Sequence, residues 1–319
     1  MTRVLLVVPA YNEEAVIAPT VSELALELDQ RGLDWTIVVA ENASSDHTAD
    51  MVRALRHPRI LVHAVAMRGK GNAIASAFRA FTADVYAFTD ADLSVDPSQV
   101  VDGILQIVRG ESDIVYGSRL SRASDLGGRE WWRTFSSRSF NRLARAITGT
   151  HASDTQCPLK AMTPPAAALL SRSTQLGWFF DLEFLVRAER AGMRLLELPV
   201  RWTEHRYPGR KTKLSPLDGF RAIRAMFAIR RTLADEARSA APQEEPSEET
   251  HAILPGMSWT IVGLGNPGSG YAKDRHNVGR MALACILERR GGGAFAKKTR
   301  VEALVAECEI AGAHATLVM

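Results

Sequence analysis

Four short apolar runs, Val4–Ala10, Thr36–Ala40, Ile60–Val65 and Val85–Thr89, recur along the first ninety residues with helix-patterned sequence between them. This repetition restricts the fold more than any single motif. Short β-branched runs alternating with longer amphipathic segments predict strands joined by helical crossovers, hence a mostly parallel, doubly wound α/β sheet. In such a sheet ligands gather at the carboxyl ends of the strands. Polar residues follow three of the runs: Tyr11 to Glu14, Glu41 to Asp46, and Asp90 to Asp92. The sheet topology therefore brings them to one edge.

The last of these clusters is the most pointed. Tyr86-Ala-Phe-Thr-Asp-Ala-Asp-Leu93 delivers two carboxylates, two residues apart, at the end of a strand. Residues at that spacing share a face, so Asp90 and Asp92 can reach one ion. Hard oxygen donors favour Mg²⁺ or Mn²⁺, which keep waters and accept phosphate oxygens into their shell. Arg68-Gly-Lys-Gly-Asn72 is a basic loop opening a helix, so Arg68 and Lys70 add positive charge where a diphosphate would lie. Its glycines, Gly69 and Gly71, permit close backbone approach.

The chain has 319 residues, 46% hydrophobic and 24% charged, which is a globular composition. A net charge of +3 is small, so attraction for anions must come from local clusters. Cys157, Cys285 and Cys308 are widely spaced and odd in number, which argues against a disulfide framework or a zinc site and for a reducing, cytoplasmic compartment. No apolar run reaches the length of a membrane span, so any membrane contact is expected to be peripheral, at the inner face. Residues 234–257 are rich in Pro, Ser and Glu and read as a disordered acidic linker. It separates a large domain, 1–233, from a small piece, 258–319.

Val8-Pro-Ala-Tyr-Asn-Glu-Glu14, Arg68-Gly-Lys-Gly-Asn72, Asp90-Ala-Asp92, Gly117-Ser-Arg119 and Asp154-Thr-Gln-Cys-Pro-Leu-Lys160 occur in this order. The series resembles the motifs of family 2 glycosyltransferases, and within them the polyprenyl (dolichyl) phosphate hexosyltransferases. The resemblance covers roughly residues 3–232. It implies a GT-A fold, a nucleotide-diphosphate sugar donor (UDP-glucose or GDP-mannose), a Mg²⁺ or Mn²⁺ ion, a polyprenyl phosphate acceptor, and inversion at the anomeric carbon. It places Pro9, Tyr11, Glu13, Glu41 and Asp46 around the nucleotide, Asp90 and Asp92 on the metal and diphosphate, and Arg119 at the acceptor junction. Asp154 and Asp181 are candidates for positioning sugar or acceptor. Ser94 and Pro158 depart from the pattern, standing where relatives carry Gln and Gly.

Two stretches address the acceptor. Trp131–Ile147 sets Arg138, Arg142 and Arg145 on one helical face and Trp132, Phe140, Leu143 and Ile147 on another, and Leu217–Leu233 repeats the arrangement. Basic amphipathic helices of this kind suit an anionic membrane surface. Between them, the basic loop 201–213 offers Arg206, Arg210 and Lys211 to the diphosphate as a closing loop.

The small piece is similar to bacterial peptidyl-tRNA hydrolase through Val262-Gly-Leu-Gly-Asn-Pro-Gly268 and Tyr271-Ala-Lys-Asp-Arg-His-Asn-Val-Gly279. By that resemblance His276 would activate water and Asn266 would position the peptide. The similarity spans only the amino-terminal third of such a hydrolase. An incomplete α/β piece without hydrolase activity or tRNA binding is therefore the expectation.

Overall fold

The computed structural model describes residues 2–127, 131–203, 217–240, 258–262, 278–289, 294–298, 303–310 and 313–318. They divide into two compact units, Met1–Ser239 and Ala240–Met319.

In the first unit the strands are β1 (Arg3–Ala10), β2 (Asp34–Glu41), β3 (Ile60–Ala64), β4 (Val85–Phe88), β5 (Ile114–Ser118), β6 (Lys160–Met162) and β7 (Leu195–Pro199). The helices are α1 (Ile17–Gln30), α2 (Thr48–Ala54), α3 (Lys70–Ala80), α4 (Pro97–Val108), α5 (Trp131–Thr148), α6 (Pro164–Ser171), α7 (Phe180–Arg190) and α8 (Leu217–Ala240). One seven-stranded sheet runs β3-β2-β1-β4-β6-β5-β7. Every pairing is parallel except those of β6, which lies antiparallel between β4 and β5. The parallel expectation thus holds, with one reversed strand inserted beyond β4.

Strand periodicity explains how the sheet is covered on both faces. In β1, Val4, Leu6 and Val8 join a core with Ile17, Val21, Leu24 and Leu28 of α1 and Val101 and Ile104 of α4. The intervening Leu5 and Val7 pack on the other face with Ile74 and Phe78 of α3 and Phe180 and Phe184 of α7. Side chains two apart share a face, so a strand covered twice must be apolar throughout, as β1 is. A third cluster joins Ala144 of α5, Leu182 and Val186 of α7, and Ala222, Met226, Ile229 and Leu233 of α8. α8 continues to Ala240, past Leu233. The reason lies in Glu236, whose carboxylate takes two hydrogen bonds from Arg187 of α7, at 2.6 and 2.9 Å.

The second unit holds β8 (Ser258–Val262), α9 (Val278–Arg289), β9 (Ala296–Lys298), β10 (Ala303–Ile310) and β11 (Ala313–Val318). Its sheet order is β8-β11-β10-β9, parallel only between β8 and β11. Leu283 and Leu287 of α9 pack on Ala306 and Leu317, giving a small core. Among the described residues no helix is long and apolar enough to cross a membrane.

Candidate functional site

Chain reversals after β1, β2 and β4, together with the amino end of α3, form the carboxyl edge of the sheet. After β1, Asn12 takes a left-handed φ of 55°. Its side chain accepts from Ser45 N at 2.8 Å, while its own N–H donates to Ser44 Oγ at 3.1 Å. Glu13 N donates to Thr48 Oγ1 at 2.8 Å, and Glu14 N to Asp46 Oδ2 at 3.1 Å. The two loops that carry Tyr11, Glu13, Glu41 and Asp46 are therefore stitched together. Glu41 accepts from Ser44 N. Asp46 also accepts from Thr48 N at 3.0 Å. Burial pushes the Asp46 carboxyl up, but the Thr48 and Glu14 donors outweigh it and leave its pKa below the ordinary value. Asp46 thus builds the loop with both oxygens. Pro9 and Tyr11 are half-buried, and Arg68 stacks over the Tyr11 ring at 4.8 Å.

Lys70 opens α3 and reaches Asp90, with Nζ 2.7 Å from Oδ1. Burial pulls the Lys70 pKa down, yet Asp90, Asp181 and Asp92 together lift it above the ordinary lysine value. Three carboxylates thus converge electrostatically on one ammonium. Asp92 precedes Leu93, which is held at φ 50°, and accepts from Ser94 N at 3.1 Å. Ser94 is buried, and its carbonyl accepts from Thr203 N.

The two glycines flanking Lys70 serve packing. A Cβ on Gly69, at φ 146°, would stand 2.4 Å from the Leu176 carbonyl oxygen. One on Gly71 would stand 2.5 Å from Phe180 Cβ. The Leu176 carbonyl also accepts from Asn72 N at 3.0 Å, and Gly69 N donates to Asn42 Oδ1 at 3.0 Å. Close approach is required here, as the sequence suggests, but by the chain's own backbone and ring.

Arg119 and Asp154 make the most fully satisfied pair of the site. Arg119 donates to the Asp154 carboxylate from N at 2.9 Å, Nε at 2.7 Å and Nη2 at 2.8 Å. Asp154 is fully buried, Arg119 nearly so, and the guanidinium lies 4.9 Å from the Trp202 ring. Burial pulls the Arg119 pKa down, but Asp154 and, more weakly, Cys157 and Asp90 hold it above the ordinary arginine value. Burial raises the pKa of Asp154, and Arg119 with Lys160 overcomes that and keeps it low. A bidentate fork of this kind fixes the guanidinium plane. Nη1 is not spent on Asp154.

Asp181 stands apart from an open surface. It is buried in the first turn of α7, with Oδ1 2.8 Å from Nζ of the equally buried Lys160. Lys160 also donates to the Cys157 carbonyl at 2.6 Å. Neighbouring Cys157 is fully buried, and burial with Asp154 pushes its thiol up to about 12. Arg206, Arg210, Lys211, Asn266 and His276 lie outside the described residues. Three buried polar residues carry no motif of their own yet hold the site together: Asn42, Asn141 and Glu183. For Asn141 the available sign was a polar residue at helical spacing from Ala144 and Thr148, the buried stripe of α5.

Among the described residues no group of three or more His, Cys, Asp or Glu side chains is placed to hold a metal. Asp90 and Asp92 offer two hard carboxylates. That set fits Mg²⁺ or Mn²⁺ completed by water and phosphate oxygens, and not a closed thiolate or imidazole site.

The sheet, parallel except at β6, carries paired carboxylates and fixed cations along its carboxyl edge, and comparison with known proteins assigns this arrangement to the glycosyltransferases. The glycosyl transferase family 2 model matches residues 5–168, just over half of the chain, and the chain belongs to that family. The peptidyl-tRNA hydrolase family model matches residues 260–319. Glycosyltransferase AglD of Haloferax volcanii is 34% identical over 213 residues, covering 63% of this chain and 33% of that protein. The dolichyl-phosphate beta-glucosyltransferase ALG5C of Trichomonas vaginalis is 32% identical over 213 residues, covering 62% of this chain and 63% of that protein. The chain thus spans from one third to under two thirds of the length of these relatives. Glucosyl-3-phosphoglycerate synthase from Mycobacterium tuberculosis, solved with Mn²⁺ and UDP-glucose, superimposes with a TM-score of 0.52 at 20% identity. That match covers 75% of this chain and 78% of the synthase chain, and it establishes the GT-A type of fold.

Proposed function

We propose that residues 1–233 move a hexose from a nucleotide-diphosphate sugar, UDP-glucose or GDP-mannose, to a polyprenyl phosphate at the cytoplasmic surface of a membrane, with inversion at the anomeric carbon. The observation that carries this reading is a pair of carboxylate-held cations along the carboxyl edge, Lys70 on Asp90 and Arg119 on Asp154. Lys70 is seated against Asp90 on the donor side, and Arg119 is locked by Asp154 with Asp90 within its electrostatic reach. Names of the relatives AglD and ALG5C agree with a glycosyl transfer, and ALG5C with a dolichyl phosphate.

Asp90 and Asp92 are the residues that would hold Mg²⁺ or Mn²⁺, whose contribution is to neutralise charge developing on the leaving diphosphate. Lys70 adds a second positive charge at the same place. The stitched loops after β1 and β2 present Pro9, Tyr11, Glu13 and Glu41 to the nucleoside. On the other side, Arg119 Nη1 orients the acceptor phosphate. That phosphate is already an anion at neutral pH, so positioning matters more than a strong base. Asp154 then acts through Arg119, whereas Asp181 is spent on the buried Lys160 and takes no part in the transfer.

The helices α5 and α8 bear the surface for the lipid. Trp131 and Phe135 of α5 are 80% and 65% exposed, and Phe220 and Phe227 of α8 are 70% and 54% exposed. Both helices turn other residues into their shared core: Ala144 on α5, and Met226 and Ile229 on α8. α5 carries Arg133, Arg138, Arg142 and Arg145 and no acidic residue. Exposed aromatics among arginines suit the headgroup layer of an anionic bilayer.

The test is a panel of radiolabelled UDP-glucose and GDP-mannose with polyprenyl phosphate, run with and without EDTA. Transfer to the lipid from one donor, lost with EDTA and restored by Mg²⁺ or Mn²⁺, is the expected result. Metal-independent transfer, or transfer only to soluble acceptors, would remove the central claims.

A further inference from the structure

Helix α5 does more than present an outer face. On its inner side Asn141, 4% exposed, accepts two hydrogen bonds at Oδ1, from Thr155 N at 3.0 Å and Thr155 Oγ1 at 3.1 Å. Its Nδ2 donates to the Ser137 carbonyl at 2.9 Å, which fixes the amide plane. One turn further on, Arg145 Nε donates to the Ala152 carbonyl at 3.3 Å. The segment held between these two anchors is Ser153-Asp154, and Asp154 is the carboxylate that grips Arg119 at three points. The buried stripe of α5 is otherwise small, Ala144 and Thr148, which lets the segment lie close to the helix.

We infer that Asn141 is a positioning residue for the transfer reaction: it sets the Asp154 carboxylate, and through it the plane of the Arg119 guanidinium. The inference rests on the reading above, in which Arg119 meets the acceptor phosphate. Thr155 is fully buried, and its N–H and hydroxyl both donate to the one Asn141 oxygen, which Asn141→Ala removes. A buried donor left unmet makes the backbone move to find a partner. Movement at Thr155 is movement next to Asp154, and Arg119 must follow because both its Nε and Nη2 are committed there. A displacement of about 1 Å in an orienting group lowers turnover by up to about 100-fold. The donor loops after β1 and β2 make no hydrogen bond with Asn141, so donor binding is spared.

The experiment uses the full chain labelled with [¹⁵N]arginine, together with transfer kinetics on UDP-[¹⁴C]glucose or GDP-[¹⁴C]mannose and undecaprenyl phosphate. The Arg119 Nε–H resonance is identified as the one lost in Arg119→Lys. In Asn141→Ala that resonance shifts and broadens. Turnover falls about 10- to 100-fold, and the donor KM stays within about twofold. When Asn141→Ala is combined with Arg119→Lys, it lowers turnover by less than about twofold further, because both act through one group. An unchanged Arg119 resonance in Asn141→Ala, or full multiplication of the two losses, overturns the inference. Should Asn141→Ala not fold, Thr155→Val gives the same signature at smaller size, and an unaltered resonance there counts against the inference equally. If the wild-type chain transfers neither sugar, the resonance still decides the positioning role, and the failure falls on the proposed reaction alone.

Discussion

Asp181 looks like a reaction residue in the sequence and like a structural one in the fold, and substitution separates the two. Its carboxylate and the Lys160 ammonium are 2.8 Å apart, with side chains 3% and 0% exposed. Asp181→Asn keeps the volume and removes the charge. Lys160 then keeps the Cys157 carbonyl at 2.6 Å, the face of Phe88 at 5.6 Å and the longer-range attraction of Asp154. Breaking a buried pair by removing one partner costs about 3–5 kcal/mol, because the remaining charge is uncompensated. The carbonyl and the ring place the expected loss near about 3 kcal/mol. For a unit of this size that lowers the melting midpoint by roughly 6–12 °C. The double replacement Lys160→Met with Asp181→Leu removes both charges and is expected within about 1–2 kcal/mol of wild type, a coupling of about 2 kcal/mol or more. Urea unfolding followed by tryptophan fluorescence measures this in the full chain, since five of the six tryptophans lie at residue 202 or before. An Asp181→Asn chain with an unchanged midpoint and no transfer would refute the structural reading, and would place the carboxylate on a substrate.

Asp90→Asn and Asp92→Asn are each expected to reduce transfer by about 100-fold or more while leaving the midpoint nearly unchanged. Replacing Trp131, Phe135 and Phe220 together by Ser should lower cosedimentation with phosphatidylglycerol vesicles and leave circular dichroism intact; undiminished binding would remove the lipid surface from α5 and α8. Asp154 and Asp46 have folded pKa values below their unfolded ones, so their stabilisation is fully present above about pH 5 and is lost as pH falls through the folded values. A midpoint that falls below about pH 4, with part of that slope absent in Asp154→Asn, is the expected acid-unfolding record.

The sequence made the central strands plain because β1, β2 and β4 are buried on both faces, and such strands must be apolar almost throughout. β6 was not legible for the opposite reason. It has three residues, begins with Lys160, whose ammonium is paired with Asp181, and lies between strands β4 and β5, with which it pairs. Asp90 and Asp92 could be read because a strand delivers them together. The partnership of Arg119 with Asp154 could not, since 35 residues separate them and only the fold closes that gap. The same limit hid the inner face of Trp131–Thr148. Spacing alone put Trp132, Phe140, Leu143 and Ile147 on one outward face, whereas Phe140 and Ile147 pack against the inner core beside the buried Asn141, Ala144 and Thr148, and only Trp132 and Leu143 are left exposed.

Asn42 braces the loop before Lys70 as Asn141 braces the segment that holds Asp154, and on the proposed reading it prepares the donor side. Its backbone N–H donates to the Ala10 carbonyl at 2.9 Å, extending the β1–β2 ladder, and its Oδ1 accepts from Gly69 N at 3.0 Å. Gly69 in turn is pressed against the Leu176 carbonyl, and Leu176 belongs to a segment tied down by Glu183, which accepts from Thr174 N and Gln175 N. Lys70 is therefore held from two sides, by the β2 loop and by α7. Asn42→Ala removes one of them and leaves the Gly69 N–H unmet, at a cost of about 1–3 kcal/mol. Because the disturbance reaches Lys70 and not Arg119, the donor KM should rise several-fold while the acceptor KM holds. The reverse pattern, with acceptor KM raised and donor KM unchanged, would show that Lys70 does not serve the donor, and the division of the edge into a donor half and an acceptor half would fall with it.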